Sequence, residues 1–470
     1  MAVMSTKIGR SLGIFDIVMI NVIAVDSLRT LPFSAEYGFS LVFYYILASI
    51  TFFIPVGLVS AELATGWPNK GGIYVWVREA FGDLPGFVVI WLQWVYNIVW
   101  YPTILSFIAA TLAYLINPAL AESKVYMLLV ILVIFWGATF INFYGMRVSS
   151  LVSTLGALFG TLFPMFFIIA LGVIWLLLGN PTQISFTTDQ FIPTLVDPSH
   201  LSFLTAVLFG LVGVEMSAVH ADEVKNPGKV YPKAILYSTI IIFTTLVLSS
   251  LAIALVVPKR ELNVVTGLVQ AFEIFFSAYN LNWMGPVITF LIIVGGIGSV
   301  ATWIIGPTKG LLVAAQDGSV PPLFGLMNKR GVPVTLLIFQ GTIFTILCAV
   351  FLLMPTVSSS YWVLTAMTAQ LAMLVYIALF AAALWLRFKK PEVVRSYRIP
   401  MGNLGISVVC ILGVLSSTFA IVLGFIPPAQ LSVGNIVTYE SILILGILLL
   451  TAPPIIIYLK RKPNWLQLST

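Results

Sequence analysis

Three charged residues fall where an apolar chain tolerates them least. Asp26 and Arg29 sit about midway along the first long apolar run, within Asn21-Val-Ile-Ala-Val-Asp-Ser-Leu-Arg-Thr-Leu-Pro-Phe33. Glu215 sits inside another, Leu208-Phe-Gly-Leu-Val-Gly-Val-Glu-Met-Ser-Ala-Val-His220. A charge at the centre of a bilayer costs about 2.5–3.5 kcal/mol on insertion scales. A proline inside a continuous helix, as Pro32 would be, costs about 3 kcal/mol. Gly210 and Gly213 each lower helix propensity by roughly 1 kcal/mol relative to alanine. Helices interrupted at Asp26-Ser27-Leu28-Arg29 and at Gly210–Glu215 would free backbone groups for a ligand. Carbonyls and acidic side chains suit an ammonium group, while helix N-termini and a bidentate Arg29 suit a carboxylate. The same residues also fit a bent helix whose Arg29 is neutralised by Asp26 or Glu215. Glu215 itself could contact a ligand, carry a proton or brace an interrupted helix.

The elements that must hold these residues are membrane spans. The chain has 470 residues, 60% hydrophobic and only 9% charged, with a mean hydropathy of +1.07. Soluble domains carry roughly 25% charged residues, so the composition is that of a polytopic α-helical membrane protein. Twelve apolar runs are long enough to cross: 12–36, 39–63, 85–115, 125–144, 150–178, 201–222, 234–257, 285–315, 333–354, 359–387, 404–427 and 438–459. Gly71–Gly82 is amphipathic and too short to span, so it is placed at the interface. The loops at 179–200 and 258–284 could fold back as short caps or serve as plain connectors.

Basic residues set the topology. Arg29 lies within a span, and only Lys124, Lys259 and Arg260 fall in outer segments, which leaves nineteen of the 23 Lys and Arg inside. That asymmetry puts both termini in the cytoplasm. It also spreads the net charge of +6 over many short loops, which excludes a nucleic-acid-binding patch. The two cysteines, Cys348 and Cys410, and the two histidines, His200 and His220, offer no disulfide framework and no metal cluster. The N-terminus shows no signal-peptide cleavage pattern. Spans one and six would each open a five-helix half, 12–178 and 201–387, with 404–459 added. Interruptions at matching positions of two halves point to a binding site of inverted-repeat design.

Other polar and aromatic groups have two readings each. Trp91, Trp94, Tyr96, Asn97, Trp100 and Tyr101 cluster on the third span, as packing or as a wall of the site. Gln370 is a site residue or one end of an interhelical hydrogen bond. His220 is a gate residue or a satisfied helix end. Asp222, Glu223 and Lys225 beside Asn226-Pro-Gly form an inner-gate contact or a capped loop. Gly295-Gly-Ile-Gly298 permits close helix packing; neither nucleotide fingerprint fits it.

At Gly213-Val-Glu-Met-Ser-Ala-Val-His-Ala-Asp-Glu-Val-Lys-Asn-Pro-Gly-Lys-Val-Tyr-Pro232 the chain resembles the amino acid–polyamine–organocation superfamily of transporters, most closely the bacterial glutamate:GABA antiporters. Further matches are Gly38–Phe43, Ile54–Leu58, Ala61-Glu-Leu-Ala-Thr65, Gly71–Trp76, Trp303-Ile-Ile-Gly-Pro307, Gly331–Thr335 and Tyr397-Arg-Ile-Pro400. The resemblance implies a LeuT-type fold of ten core helices in two inverted halves plus two more, alternating access, and exchange of amino acids or their decarboxylation products. It places Glu215, Trp303 and Tyr376 on the substrate path. Ala372 replaces the second of a tyrosine pair, Asp26 stands where the family has a tyrosine, and Arg29 lies in a short local insertion. The acid-resistance members close their inner vestibule with a long C-terminal tail; the sequence here ends at Thr470, so no such gate is expected.

Together these readings give a substrate site at Asp26, Ser27, Leu28, Arg29, Gly210, Gly213, Glu215, Trp303 and Tyr376, with Asn97, Trp100, His220 and Gln370 along a path or gate. The expected protein is an amino acid/amine antiporter of the inner membrane. Its partners are a small-molecule substrate and lipid, association into a homo-oligomer is compatible, and no cofactor is called for. The rivals are a proton- or cation-coupled symporter of the same fold and a non-transporting receptor or scaffold. No catalytic constellation suggests an enzyme.

Overall fold

A computed structural model describes residues 12–68, 72–143, 156, 158–193, 198–217, 224, 226–462 and 465. Those residues form helices and their connections, with one isolated bridge between Leu12 and Val224. The chain begins with α1 (Ile14–Val25) and α2 (Leu31–Ala35), of twelve and five residues. Pro32 falls in the first turn of α2, where its missing N–H has no intrahelical partner to lose. Next come α3 (Gly38–Gly66), the amphipathic α4 (Ile73–Phe81) and the long α5 (Asp83–Ile116). The chain continues through α6 (Lys124–Asn142), α7 (Leu158–Leu177), α8 (Pro198–Ser217) and α9 (Pro227–Val256). A short α10 (Gly267–Ala278) precedes α11 (Gly285–Gln316). The rest is α12 (Val334–Leu353), α13 (Val357–Lys389), α14 (Gly402–Phe425) and α15 (Ile436–Leu459).

Among the described residues, eleven helical stretches are long and apolar enough to cross a membrane, at the positions expected for spans two to twelve. The sequence at 12–36 is occupied instead by α1 and α2, neither of which is long enough alone. The loop at 258–284 does fold back. Leu268, Phe272 and Phe275 of α10 are buried, and a Cβ on Gly267 would stand 2.6 Å from Leu262 Cδ1 and 3.1 Å from Pro32 Cβ. α10 therefore covers α2.

Helix α5 is largely buried at the centre of the bundle, whereas α15 is mostly exposed and lies at its periphery. The glycine run in α11 is a packing device. A Cβ on Gly160 would stand 2.3 Å from the Gly295 Cα, so α7 and α11 cross backbone to backbone.

One end of the bundle is tied by buried ions. Arg387 near the end of α13 donates to Glu62 Oε1 on α3 at 2.6 Å, and the backbone N–H of Ile399 donates to Glu62 Oε2 at 2.8 Å. Arg395 Nε approaches Glu62 Oε1 at 3.5 Å, an ionic contact without a hydrogen bond. Arg395 is otherwise held by the carbonyls of Leu386, Lys390 and Val393 and stacks over Trp67. Burial beside Glu62 pushes the Tyr397 hydroxyl up to about 12. The loop between α13 and α14 is thereby docked onto α3.

Candidate functional site

The helical hydrogen bonding of α1 ends when the Asp26 N–H donates to Val22 O at 2.8 Å. Asp26 and Ser27 are extended, with ψ of 122° and 126°. A single 3₁₀ turn, Leu28–Thr30, then leads into α2. In α8 the α-helical turns run from Leu204 to Phe209, turns follow at Gly210–Gly213, and a short 3₁₀ segment closes it at 214–217. The two non-helical stretches touch. A Cβ on Gly210 would lie 3.3 Å from Thr30 Oγ1, and one on Gly213 would lie 3.1 Å from Ala24 O. Gly213 also has φ +127°, a conformation that side-chain-bearing residues rarely adopt. Gly213→Ala is expected to destabilise by about 1–3 kcal/mol through strain and that close approach. The check is thermal unfolding in detergent, and an unchanged midpoint would show that the backbone relaxes.

A cavity of about 360 Å³ opens where the stretches meet. Asp26, Ser27, Leu28, Arg29, Gly210 and Trp303 line it, as do Asn97 and Trp100. Sequence reasoning missed Gly160, Thr161, Phe209, Met216, Ile292 and Ser299, which also line it. Thr161 and Ser299 are ordinary small polar residues in apolar runs, and nothing in their spacing singles them out. Gly213, Glu215, Tyr376 and Gln370 are not on the cavity wall. Glu215 is buried, with Oε2 unpartnered, and is an electrostatic neighbour of both Tyr376 and Tyr96. Tyr96 does line the cavity and connects that buried pair to it. Gln370 donates to Ile421 O at 2.9 Å, the interhelical bond of its alternative reading. His220, with Asp222, Glu223 and Lys225, lies outside the described residues.

The charges of the first stretch are not paired with each other. Asp26 is 6% exposed, and the Thr245 hydroxyl of α9 lies 3.1 and 3.0 Å from its two oxygens. Arg29 is 2% exposed. Its backbone carbonyl accepts from the Tyr361 hydroxyl at 3.0 Å, and its guanidinium stands 5.5 Å from the centre of the Phe209 ring. Arg29 Nε and Nη1 have no hydrogen-bond partner. Among the described residues no carboxylate lies within ion-pair distance of Arg29, so the bent helix with a buried Asp26–Arg29 pair is not what forms. Opposite, the half-buried rings of Trp100 and Trp303 stand 6.0 Å apart, and Tyr101 fixes α11 by donating to Trp303 O at 2.7 Å. Asn97 donates to Gln93 O within its own helix at 2.7 Å. Trp91 and Trp94 are packing residues, bonded to Leu450 O and Gln340 Oε1. The site thus offers a buried cation, a separately held carboxylate, hydroxyls and an aromatic wall.

Residues 8–449 match the amino acid permease family. A protein of Legionella pneumophila described as an uncharacterized transporter is 56% identical over 443 residues, 94% of this chain and 95% of that one. A glutamate/gamma-aminobutyrate antiporter of Lactococcus lactis is 30% identical over 455 residues, 96% of this chain and 90% of its own. A probable agmatine/putrescine antiporter of the same species is 26% identical over 372 residues, 78% of this chain and 77% of its own. With a family match from residue 8 to residue 449 and relatives that are transporters rather than enzymes, this multi-pass membrane protein belongs to the amino acid permease family.

Proposed function

We propose that the chain is a secondary-active amino acid transporter of the cell membrane that exchanges an amino acid for an amino acid or amine. On this reading α1 and α2 are the two halves of a twelfth span, residues 12–178 and 201–387 are inverted repeats of a LeuT-type fold, and both termini are cytoplasmic. Substrate sits in the cavity between Asp26–Arg29 and Gly210–Gly213. The observation that carries the proposal is Arg29, a residue of the cavity lining whose buried guanidinium has two nitrogens without a hydrogen-bond partner. A substrate carboxylate supplies the missing partner as a forked, charge-assisted contact. The ammonium group faces Asp26 and the carbonyl end of α1, and the Trp100–Trp303 wall takes the carbon skeleton. The antiporter descriptions of the 30% and 26% identical relatives support exchange. Exchange follows physically when only a loaded site lowers the barrier to reorientation.

Counterflow in proteoliposomes, screened across acidic, neutral and basic amino acids and their decarboxylated amines, is the test. The expected result is uptake that requires internal substrate. Uptake that needs none but collapses with the ion gradient would establish the second reading, a proton- or cation-coupled symporter. The unpartnered Glu215 Oε2 and the buried Asp26 are the observations that favour it. Binding of cationic amines alone would remove Arg29 as a carboxylate clamp.

A further inference from the structure

A second cavity, about 400 Å³, lies between the end of α5, the inner face of α10 and the start of α11. Its walls carry Phe272, Glu273 and Phe276 from α10, Tyr114 from α5, Thr289 from the start of α11 and Asn282 from the turn before it. Among the described residues no Lys, Arg or His lines it. Positions 269, 272, 273 and 276 form one helical face, as do 285, 288, 289 and 292 opposite, so the cavity is a cleft between two helices. The rings of Phe272 and Phe276 stand 5.5 Å apart at 26°. Glu273 and Glu122 are both electrostatic neighbours of Tyr114. Partial burial pushes the Glu273 carboxyl above its ordinary range. Ile292 lines this cavity and the central one.

We infer that this cleft is a binding site for a primary alkylammonium group, in which Glu273 supplies the counter-charge and Phe272, Phe276 and Tyr114 the aromatic faces. It holds the amine end of a substrate one side chain away from the central cavity. An aromatic lining with low polarity strengthens the attraction between an ammonium group and the rim carboxylate. The site's part in exchange rests on the transport reading above; its binding chemistry does not.

The probe is butylammonium chloride, titrated calorimetrically into the full chain purified in detergent, with butyrate as the anion of equal length. Butylammonium is expected to show a Glu273-dependent binding component that butyrate lacks. Glu273→Gln should weaken binding at least tenfold, and Asp189→Asn, at an exposed carboxylate lining neither cavity, should leave it unchanged. Glu273 lies at an exposed rim, so this variant should elute and melt like the parent; Phe276→Leu, expected to weaken binding severalfold, makes the same test without altering charge. Equal affinity in the parent and in Glu273→Gln, or as large a loss in Asp189→Asn, would overturn the site. An ethanolamine lipid headgroup presents the same ammonium chemistry. The titration is therefore repeated in phosphatidylglycerol nanodiscs with and without phosphatidylethanolamine. Equal affinities support a free amine, and tenfold weaker binding with phosphatidylethanolamine makes the headgroup the occupant and overturns the substrate role. In vesicles, Glu273→Gln should raise the KM for an exchanged amine at constant maximal rate. If the parent chain exchanges nothing, the transport reading fails while the calorimetric result stands.

Discussion

Arg29→Gln is expected to lower exchange of a carboxylate-bearing substrate by roughly 10- to 100-fold while leaving the protein as stable as before, or more so. The first half follows from a charge-assisted hydrogen bond, worth about 1.5–3 kcal/mol, with each 1.4 kcal/mol a factor of ten. The second half follows from what surrounds Arg29. It is 2% exposed, has two unpartnered guanidinium nitrogens, and meets no carboxylate within ion-pair distance among the described residues. A buried charge without a counter-ion is destabilising, so removing it relieves the empty protein. A residue that merely braced the fold would behave oppositely, losing stability and activity together. Arg29→Lys separates charge from shape. It keeps the cation but loses the fork, so it should recover only part of the exchange. The measurements are counterflow KM and maximal rate beside the unfolding midpoint in detergent. Undiminished exchange by Arg29→Gln, or a midpoint several degrees lower, would remove Arg29 from the site.

Much of this was legible in the sequence because membrane burial makes polar residues conspicuous. The apolar runs located the helices, and Asp26, Arg29, Gly210 and Trp303, singled out as costly or matching residues, all line one cavity. What the sequence could not supply were contacts between distant segments. The hydroxyl that occupies Asp26 belongs to Thr245, 219 residues away, and is one of many threonines in apolar helices. Without that contact, Asp26 and Arg29 looked like natural partners three residues apart. Gly160 and Gly295 were equally silent, since small residues declare a close crossing only once both helices are placed. Glu215 and Tyr376 show the reverse limit. The resemblance placed them on the substrate path, yet neither is on the cavity wall, where Tyr96, an electrostatic neighbour of both, is.

Glu62 is the residue whose importance only the structure reveals, and Glu62→Ala carries the largest expected loss of stability. Its carboxylate, 3% exposed, takes the Arg387 guanidinium at 2.6 Å, the Ile399 N–H at 2.8 Å and the Arg395 charge at 3.5 Å. Removing it leaves two buried arginines facing one another with no anion between them. Breaking a buried pair by deleting one partner destabilises by about 3–5 kcal/mol. The two arginines are not equivalent, which gives the prediction an internal ordering. Arg387→Met leaves Glu62 with Arg395 and Ile399, so its effect should be smaller than that of Glu62→Ala. The Glu62→Leu/Arg387→Met double variant should recover part of the loss, because Arg395 retains the carbonyls of Leu386, Lys390 and Val393. Thermal unfolding of the four proteins in one detergent tests the order: parent, then Arg387→Met, then the double variant, then Glu62→Ala. If Glu62→Ala melts with the parent, water reaches the cluster and the ions hold nothing. If the double variant melts below Glu62→Ala, the Glu62–Arg387 coupling has the wrong sign, and the docked loop must be held by its backbone contacts to Thr65 instead.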